Sequence, residues 1–157
     1  TLTEVRDWFH YSNGPHALSV RILADLTRDV NGFLEQFDAP YTVVAQDNSL
    51  SFKYWYNDGR RMPNNEPQDA DQLSGGEKIM LALSFRLAAY ALFANKLGIL
   101  SLDEPTVYLD EQHVASFCKL LEKLKEVAKN LNLQIFIATH ERSTLPFFDT
   151  VIDLSNP

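Results

Sequence analysis

Four short stretches of the sequence hold residues whose types and spacing could do chemistry. In Gln72-Leu73-Ser74-Gly75-Gly76-Glu77-Lys78-Ile79-Met80 a polar loop ends and a long apolar helix begins. The first backbone amides of a helix have no intrahelical acceptor and lie at the positive end of its dipole. With Ser74, Gly75 and Gly76 at that position no bulky side chain keeps an anion away, and phosphate is the usual occupant of such a turn. The plainer reading is a Ser N-cap followed by two flexible glycines. In the second stretch, Asp103 and Glu104 end the apolar run Ile99-Leu100-Ser101-Leu102. Adjacent carboxylates repel and ask for a shared cation or proton. Magnesium carried on a nucleoside triphosphate would suit them, with Asp103 at the metal and Glu104 free to orient a water. A solvated acidic turn is the alternative. The third stretch, Leu109-Asp110, reads on its own as the N-cap of the helix that follows. The fourth ends at His140, after Gln134-Ile135-Phe136-Ile137-Ala138. A lone histidine is more often structural, but at the carboxyl end of a strand beside Glu104 it could reach the same phosphate.

The elements that must hold these residues come from the hydrophobic pattern. The chain has 157 residues, 45% hydrophobic and 22% charged, which describes one globular domain with a proper core. Its net charge of -7 argues against coating nucleic acid by bulk electrostatics, so any DNA contact needs a local patch or a partner. Cys118 is the single cysteine, which excludes an internal disulfide and a cysteine-built metal site and leaves it as a small apolar helix residue. The start Thr1-Leu2-Thr3-Glu4-Val5-Arg6-Asp7 carries charges where a signal peptide needs an apolar run, and no apolar run reaches the length of about 18 residues a membrane span needs. No membrane association is expected. The location implied is cytoplasmic and nucleoid-associated in a prokaryote or phage, or nuclear in a eukaryote. A first residue of Thr rather than Met suggests a fragment or a processed product.

Residues 2 to 10 read as helical, Ser12-Asn13-Gly14-Pro15 as a break, and about His16 to Phe37 as a second helix. Leu23, Leu26, Val30, Phe33 or Leu34, and Phe37 recur there at steps of three and four. Asn31-Gly32 weakens that pattern locally, since glycine costs about 1 kcal/mol in a helix. From Tyr41 to Met62 the period changes to two. Thr42 to Ala45, Ser49 to Tyr56 and Arg60 to Met62 read as a meander, with Leu50, Phe52, Tyr54 and Tyr56 on one face. Lys53, Arg60 and Arg61 form a basic group that suits an edge strand better than a DNA contact. Pro63 to Asp71 is read as a polar loop. The helix from Glu77 to about Asn95 is apolar on nearly every side, and is therefore expected to be buried, with Arg86 its one charge between Lys78 and Lys96. Then come a buried strand from Leu97 to Leu102, an amphipathic helix from Glu111 to Leu131, a buried strand from Gln134 to Ala138 and a last strand at Val151-Ile152-Asp153-Leu154. Strand, helix, strand with continuous apolar strands means parallel pairing and an α/β fold, whose ligands sit beyond the carboxyl ends of the strands. Asp103, Glu104 and His140 all fall there.

Taken in this order, the four stretches resemble the ABC-type ATPases. Leu73-Ser74-Gly75-Gly76 is similar to the signature loop, Ile99 to Glu104 to the Walker B strand, Leu109-Asp110 to the D-loop and His140 to the switch histidine. Glu77-Lys78, where transporters commonly have Gln, resembles the chromosome-structure (SMC-like) branch. The 30 positions from Leu73 to Asp103 make a longer signature helix than transporters have. Asp103-Glu104-Pro105-Thr106-Val107-Tyr108-Leu109-Asp110 resembles the double-strand-break repair ATPases of the Rad-fifty/SbcC family, and the likeness extends over essentially the whole chain. No Gly-x-x-x-x-Gly-Lys-Ser/Thr occurs, so the loop that grips the α- and β-phosphates is missing.

The resemblance implies the carboxy-terminal half of an ABC-type ATPase head: a mainly parallel sheet with flanking helices plus a small antiparallel meander. Residues 1–40 would be a helical lead-in from a coiled coil, 41–62 the meander, and 72–157 the signature, Walker B, D-loop and switch region. It implies ATP and Mg2+ as cofactors. Ser74, Gly75 and Gly76 would cap the γ-phosphate of a second head, with Asp103 at the metal and Glu104 polarising water. His140 would sense the γ-phosphate, and Asp110 would communicate across the dimer. Arg86 matches the arginine that couples the signature helix to movement between lobes, and a simple buried ion pair explains it equally. The implied partners are the amino-terminal lobe of the same protein, a second head in an ATP-dependent homodimer, an SbcD-type nuclease subunit and DNA. ATP hydrolysis is expected only with the amino-terminal lobe in place. The other functions in view are an SMC/condensin-like chromosome-structure head lobe and an ABC transporter ATPase fragment.

Overall fold

The computed structural model describes residues 14–46, 51–57, 66–107 and 109–154. Helix α1 spans Gly14–Gln36. Its apolar stripe is buried only in the second half, where Val30, Phe33, Leu34 and the following Phe37 enter the core, while Leu18, Val20 and Ile22 remain exposed. The Asn31-Gly32 pair does not break the helix. The Asn31 amide donates to the carbonyl of Val43 at 2.9 Å and its oxygen accepts from the Val43 amide at 2.8 Å. The side chain thus closes the open edge of strand β1 (Tyr41–Ala45), which explains a polar residue on that face. The predicted helix at residues 2 to 10 and its break before Gly14 lie outside the described residues.

β1 pairs antiparallel with β2 (Phe52–Tyr56), Tyr41 opposite Tyr56 and Val43 opposite Tyr54. A two-residue β3 (Gln68–Asp69) pairs antiparallel with β2. The stretch read as a polar loop therefore supplies a strand, whereas the strand expected at 60–62 lies outside the described residues. β3 is polar and too short for period-two alternation to reveal it. The rings of Tyr41, Tyr54 and Tyr56 contact edge-on in sequence, with centroids 6.0 and 5.2 Å apart. Phe52 meets Phe85 of the next helix edge-on at 4.6 Å, which fastens the sheet to it.

Helix α2 (Gly75–Ala89) continues into a π-helical turn, Tyr90–Ala94. Gly98, at φ 64, then turns the chain into β4 (Ile99–Asp103). Helix α3 (Glu111–Asn130) crosses back to β5 (Gln134–Ala138), which lies parallel to β4 with Asp103 opposite Ala138. Val114, Phe117, Leu120, Leu121, Leu124 and Val127 face inward as the period requires. One continuous core joins Phe117, Leu120, Leu121, Leu124 and Val127 to Val30, Leu34, Leu87 and Leu102, each such side chain contributing about 1.5–3 kcal/mol. Among the described residues no helix is long and apolar enough to cross a membrane.

Among the described residues the antiparallel sheet has three strands and the parallel sheet two, so the fold is α/β with both kinds of pairing. Three expectations need correction. β4 and β5 are covered on one face only: Leu102 is buried, yet Ile99 and Phe136 on the other face are about half exposed. Residues 151–154 form no strand. Among the described residues no strand pairs with them, and Val151, Ile152 and Leu154 are exposed. Finally, α2 is not buried all round. Lys78, Ala82 and Arg86, at steps of four, make an outward strip, because apolar residues elsewhere on the helix suffice to fill the core.

Candidate functional site

The Ser74 turn is held in a capping box. Ser74, extended at φ -61 and ψ 162, has its hydroxyl oxygen 3.4 Å from the Glu77 amide, which donates to it. The amide of Ser74 and its hydroxyl donate in return to Glu77 Oε2, at 2.9 and 2.8 Å. Ser-x-x-Glu before an apolar run is the sequence mark of this motif, and the carboxylate also sits favourably at the positive end of the helix. Glu77 is buried at 8% exposure and tied to the antiparallel sheet. Tyr56 donates to its Oε2 at 3.3 Å, and Tyr41 donates to its backbone carbonyl at 2.6 Å. Burial first, then the charge of Glu77 and then Tyr56, push the Tyr41 phenol above its ordinary range. With the Ser74 and Glu77 amides occupied, no acceptor among the described residues meets the amides of Gly75 and Gly76. Those are the donors the turn can offer to an anion. Ser74 itself is exposed, beside an open cleft of about 450 Å³ walled by α2 and α3.

Asp103 and Glu104 stand at the carboxyl end of β4, and His140 just past the end of β5. The parallel register brings the two ends side by side, since the Glu104 amide donates to the carbonyl of Ala138 at 2.9 Å. Glu104 Oε2 lies 2.9 Å from His140 Nδ1. A carboxylate can only accept, so Nδ1 carries the proton and Nε2 is turned away from Glu104. Glu104 has φ 42, an unfavourable conformation for a residue with a Cβ, of the kind that collects at functional positions. Behind it the hydroxyls of Thr106 and Thr139 stand 3.4 Å apart, and Thr139 Oγ1 accepts from the Glu141 amide at 3.0 Å. The Glu141 carboxylate is held below its ordinary range by the amide and then the hydroxyl of Ser143. Asp103 is exposed. No group of three or more His, Cys, Asp or Glu among the described residues could hold a metal alone. Magnesium, which keeps water and takes one or two carboxylates beside phosphate oxygens, needs no such group.

Asp110 caps α3 as expected, its Oδ1 accepting from the His113 amide at 2.9 Å. The same oxygen lies 2.6 Å from His113 Nδ1. The His113 ring lies over the Ser74 turn: a Cβ at Gly75 would fall 2.7 Å from Nε2 and 2.8 Å from Cδ2. Residues read separately as signature and D-loop therefore meet. His113 was missed, although its place three positions after an N-cap Asp is legible.

Arg86 is exposed on the outward strip of α2, and no described residue pairs with it. The buried ion pair is excluded. The expectation failed because the helix is broadly apolar without being enclosed. The structure brings Glu104 to His140 and Gly75 to Asp110 through His113, while Arg86 stays apart from both groups.

No protein-family profile matches the chain. Among curated proteins it is 32% identical over 154 residues, 98% of its length, to the DNA double-strand break repair Rad50 ATPase of Methanocaldococcus jannaschii. The chain spans about 14% of the length of that relative. Among solved structures it aligns with a chain from a study of ATP-driven dimerization and DNA-stimulated activation of SMC ATPases. There the TM-score is 0.63 at 17% identity, covering 88% of this chain and 81% of the other. The SMC head domain from Thermotoga maritima aligns over 95% of this chain and 54% of its own, with TM-score 0.55 and 21% identity. A likeness at that identity speaks for the fold, and the curated relative speaks for the branch. The chain belongs to the Rad50-type DNA double-strand break repair ATPases, and its fold is that of the SMC ATPase head structures it aligns with.

Proposed function

We propose that this chain is the half of a DNA double-strand-break repair ATPase that supplies the hydrolytic groups to its own nucleotide and a phosphate cap to that of a second head. The observation that carries the reading is the Glu104–His140 pair at adjacent parallel strand ends in a chain without a phosphate-gripping loop. Bound ATP with its magnesium would supply the phosphoanhydride to be cleaved. Asp103 would hold the metal, directly or through water. Glu104 would accept a hydrogen bond from the attacking water and orient it, once His140 turns from Glu104 toward the γ-phosphate. The Gly75 and Gly76 amides and the Ser74 hydroxyl would donate to the γ-phosphate of the second head, an arrangement that gains from being fixed beforehand. Arg86, outward on α2, is free to contact the amino-terminal lobe and couple its movement to the Ser74 turn. The half-exposed Ile99 and Phe136 give that lobe an apolar surface to cover. The assembled head would dimerise on ATP and gate DNA ends for an SbcD-type nuclease.

The test uses the full-length protein with ATP and magnesium. Glu104→Gln is expected to lower phosphate release by about 10²–10⁴-fold and to accumulate ATP-dependent dimers in sedimentation. Turnover near wild type in that variant, or robust hydrolysis by residues 1–157 alone, would sink the reading. The SMC-like fold keeps a second reading in view, a chromosome-structure head. Co-purification with a chromosome-organising subunit in place of a nuclease would select it.

A further inference from the structure

Gly75 and Asp110 lie 35 positions apart in sequence, at the amino ends of α2 and α3, which the proposed function turns toward a second head. His113 touches both. Its Nδ1 donates to Asp110 Oδ1 at 2.6 Å, which fixes the ring plane and leaves Nε2 facing the Ser74 turn. The ring occupies the space a side chain at Gly75 would need, with Nε2, Cδ2 and Cε1 at 2.7, 2.8 and 3.0 Å from an ideal Cβ. At Gly76 the same construction meets the ring at 3.6 Å, an ordinary contact. The two glycines are therefore not equivalent. Gly75 has no left-handed backbone to explain it, since it is the first residue of α2. What stands in the place of its missing side chain is the imidazole.

We propose that His113 is a positioning residue that locks the Ser74–Gly76 turn to Asp110, with Gly75 as the notch that admits it. A methyl group at position 75 would push the ring aside. Because Nδ1 is bound to the carboxylate that also caps α3, displacing the ring would strain its bond to Asp110. A change at residue 75 is thus felt at residues 110–114. Asn at position 113 keeps a donor where Nδ1 stands and removes the ring, so it separates the two halves of the contact.

The experiment uses the full-length protein carrying Gly75→Ala, His113→Asn or both. Hydrogen exchange reads the contact without reference to ATP. Gly75→Ala is expected to speed exchange across residues 110–114 about fivefold, the effect of a weakened cap, and to have no such effect in the H113N background. Unchanged exchange there on Gly75→Ala, or the same increase in both backgrounds, overturns the proposal. The kinetic consequence rests on the ATPase-head reading. Gly75→Ala should lower kcat about tenfold with little change in KM for ATP, because ATP first binds through the other lobe. His113→Asn added to it should recover the part of that loss caused by the displaced ring, leaving the double variant above Gly75→Ala and below wild type. A double variant no better than Gly75→Ala means that the incoming phosphate, not His113, demands the glycine, and the proposal falls. A wild-type protein that does not hydrolyse ATP defeats the head reading instead, and the exchange comparison still stands.

Discussion

Replacing Glu77 by alanine tests how the Ser74 turn is held. The substitution removes the acceptor of the Ser74 amide and hydroxyl bonds, at 2.9 and 2.8 Å, and of the longer Tyr56 bond. It also removes a negative charge from the first turn of α2 and empties a position that is 8% exposed. Loss of half a capping box costs about 1 kcal/mol, and loss of the charge at the dipole about another 0.5 kcal/mol. The bond from the Ser74 amide is charge-assisted and partly shielded from solvent, so the upper end of the range applies, and we expect about 2 kcal/mol in all. For a domain of this size that is a fall in Tm of about 4–8 °C. Glu77→Gln retains one acceptor oxygen and a capping-box residue type, and should cost about half as much. Denaturant unfolding of the three proteins, with m-values compared to check that the transition is unchanged, gives the numbers. A loss below about 0.5 kcal/mol for Glu77→Ala would refute the argument, since it would mean that solvent replaces the carboxylate freely.

Two further outcomes follow from buried hydroxyls. Tyr41→Phe should cost about 1 kcal/mol at neutral pH through the lost bond to the Glu77 carbonyl. Because the folded Tyr41 phenol is raised, its contribution is complete below the free phenol's pKa of about 10 and is lost as pH rises toward the folded value. Stability curves of wild type and Tyr41→Phe should therefore converge in alkali; parallel curves would contradict this. Ser84 is fully buried in α2, and its hydroxyl is the one buried side-chain polar atom among the described residues without a partner. Ser84→Ala should raise stability by about 1 kcal/mol, visible as a Tm about 2–4 °C higher, and a drop would show that the hydroxyl is bonded in solution.

Much of the site could be read from the sequence because it is written in local rules. Ser74 three residues before Glu77 is a capping box, Asp110 three before His113 is an N-cap, and two apolar runs joined by an amphipathic helix fix the parallel register that sets Glu104 beside His140. What escaped depends on what lies across space. Asn31 looked like a weak point in a helix until its partner, the backbone of Val43, was in view. Arg86 looked buried because apolar composition does not say which faces are enclosed. Residues 151–154 read as a strand by composition, yet a strand exists only where a neighbour accepts its hydrogen bonds. His113 was passed over because its importance lies in contact with Gly75, and no pattern within either segment announces it.

The two halves of the site are built differently, and the difference bears on what each can do. The Ser74 turn is held from beneath by Glu77, from the sheet by Tyr41 and Tyr56, and from above by His113. Donors fixed in advance need no reorganisation when charge arrives. Glu104 and His140 instead lean on each other, with side chains 38% and 71% exposed and Glu104 in an unfavourable backbone conformation. On the proposed reading this division has a use. The phosphate cap is ready before a second head docks, while the pair that would activate water stays engaged with itself. A γ-phosphate competing for His140 would release Glu104 to bind water, and docking and hydrolysis would then be ordered rather than simultaneous.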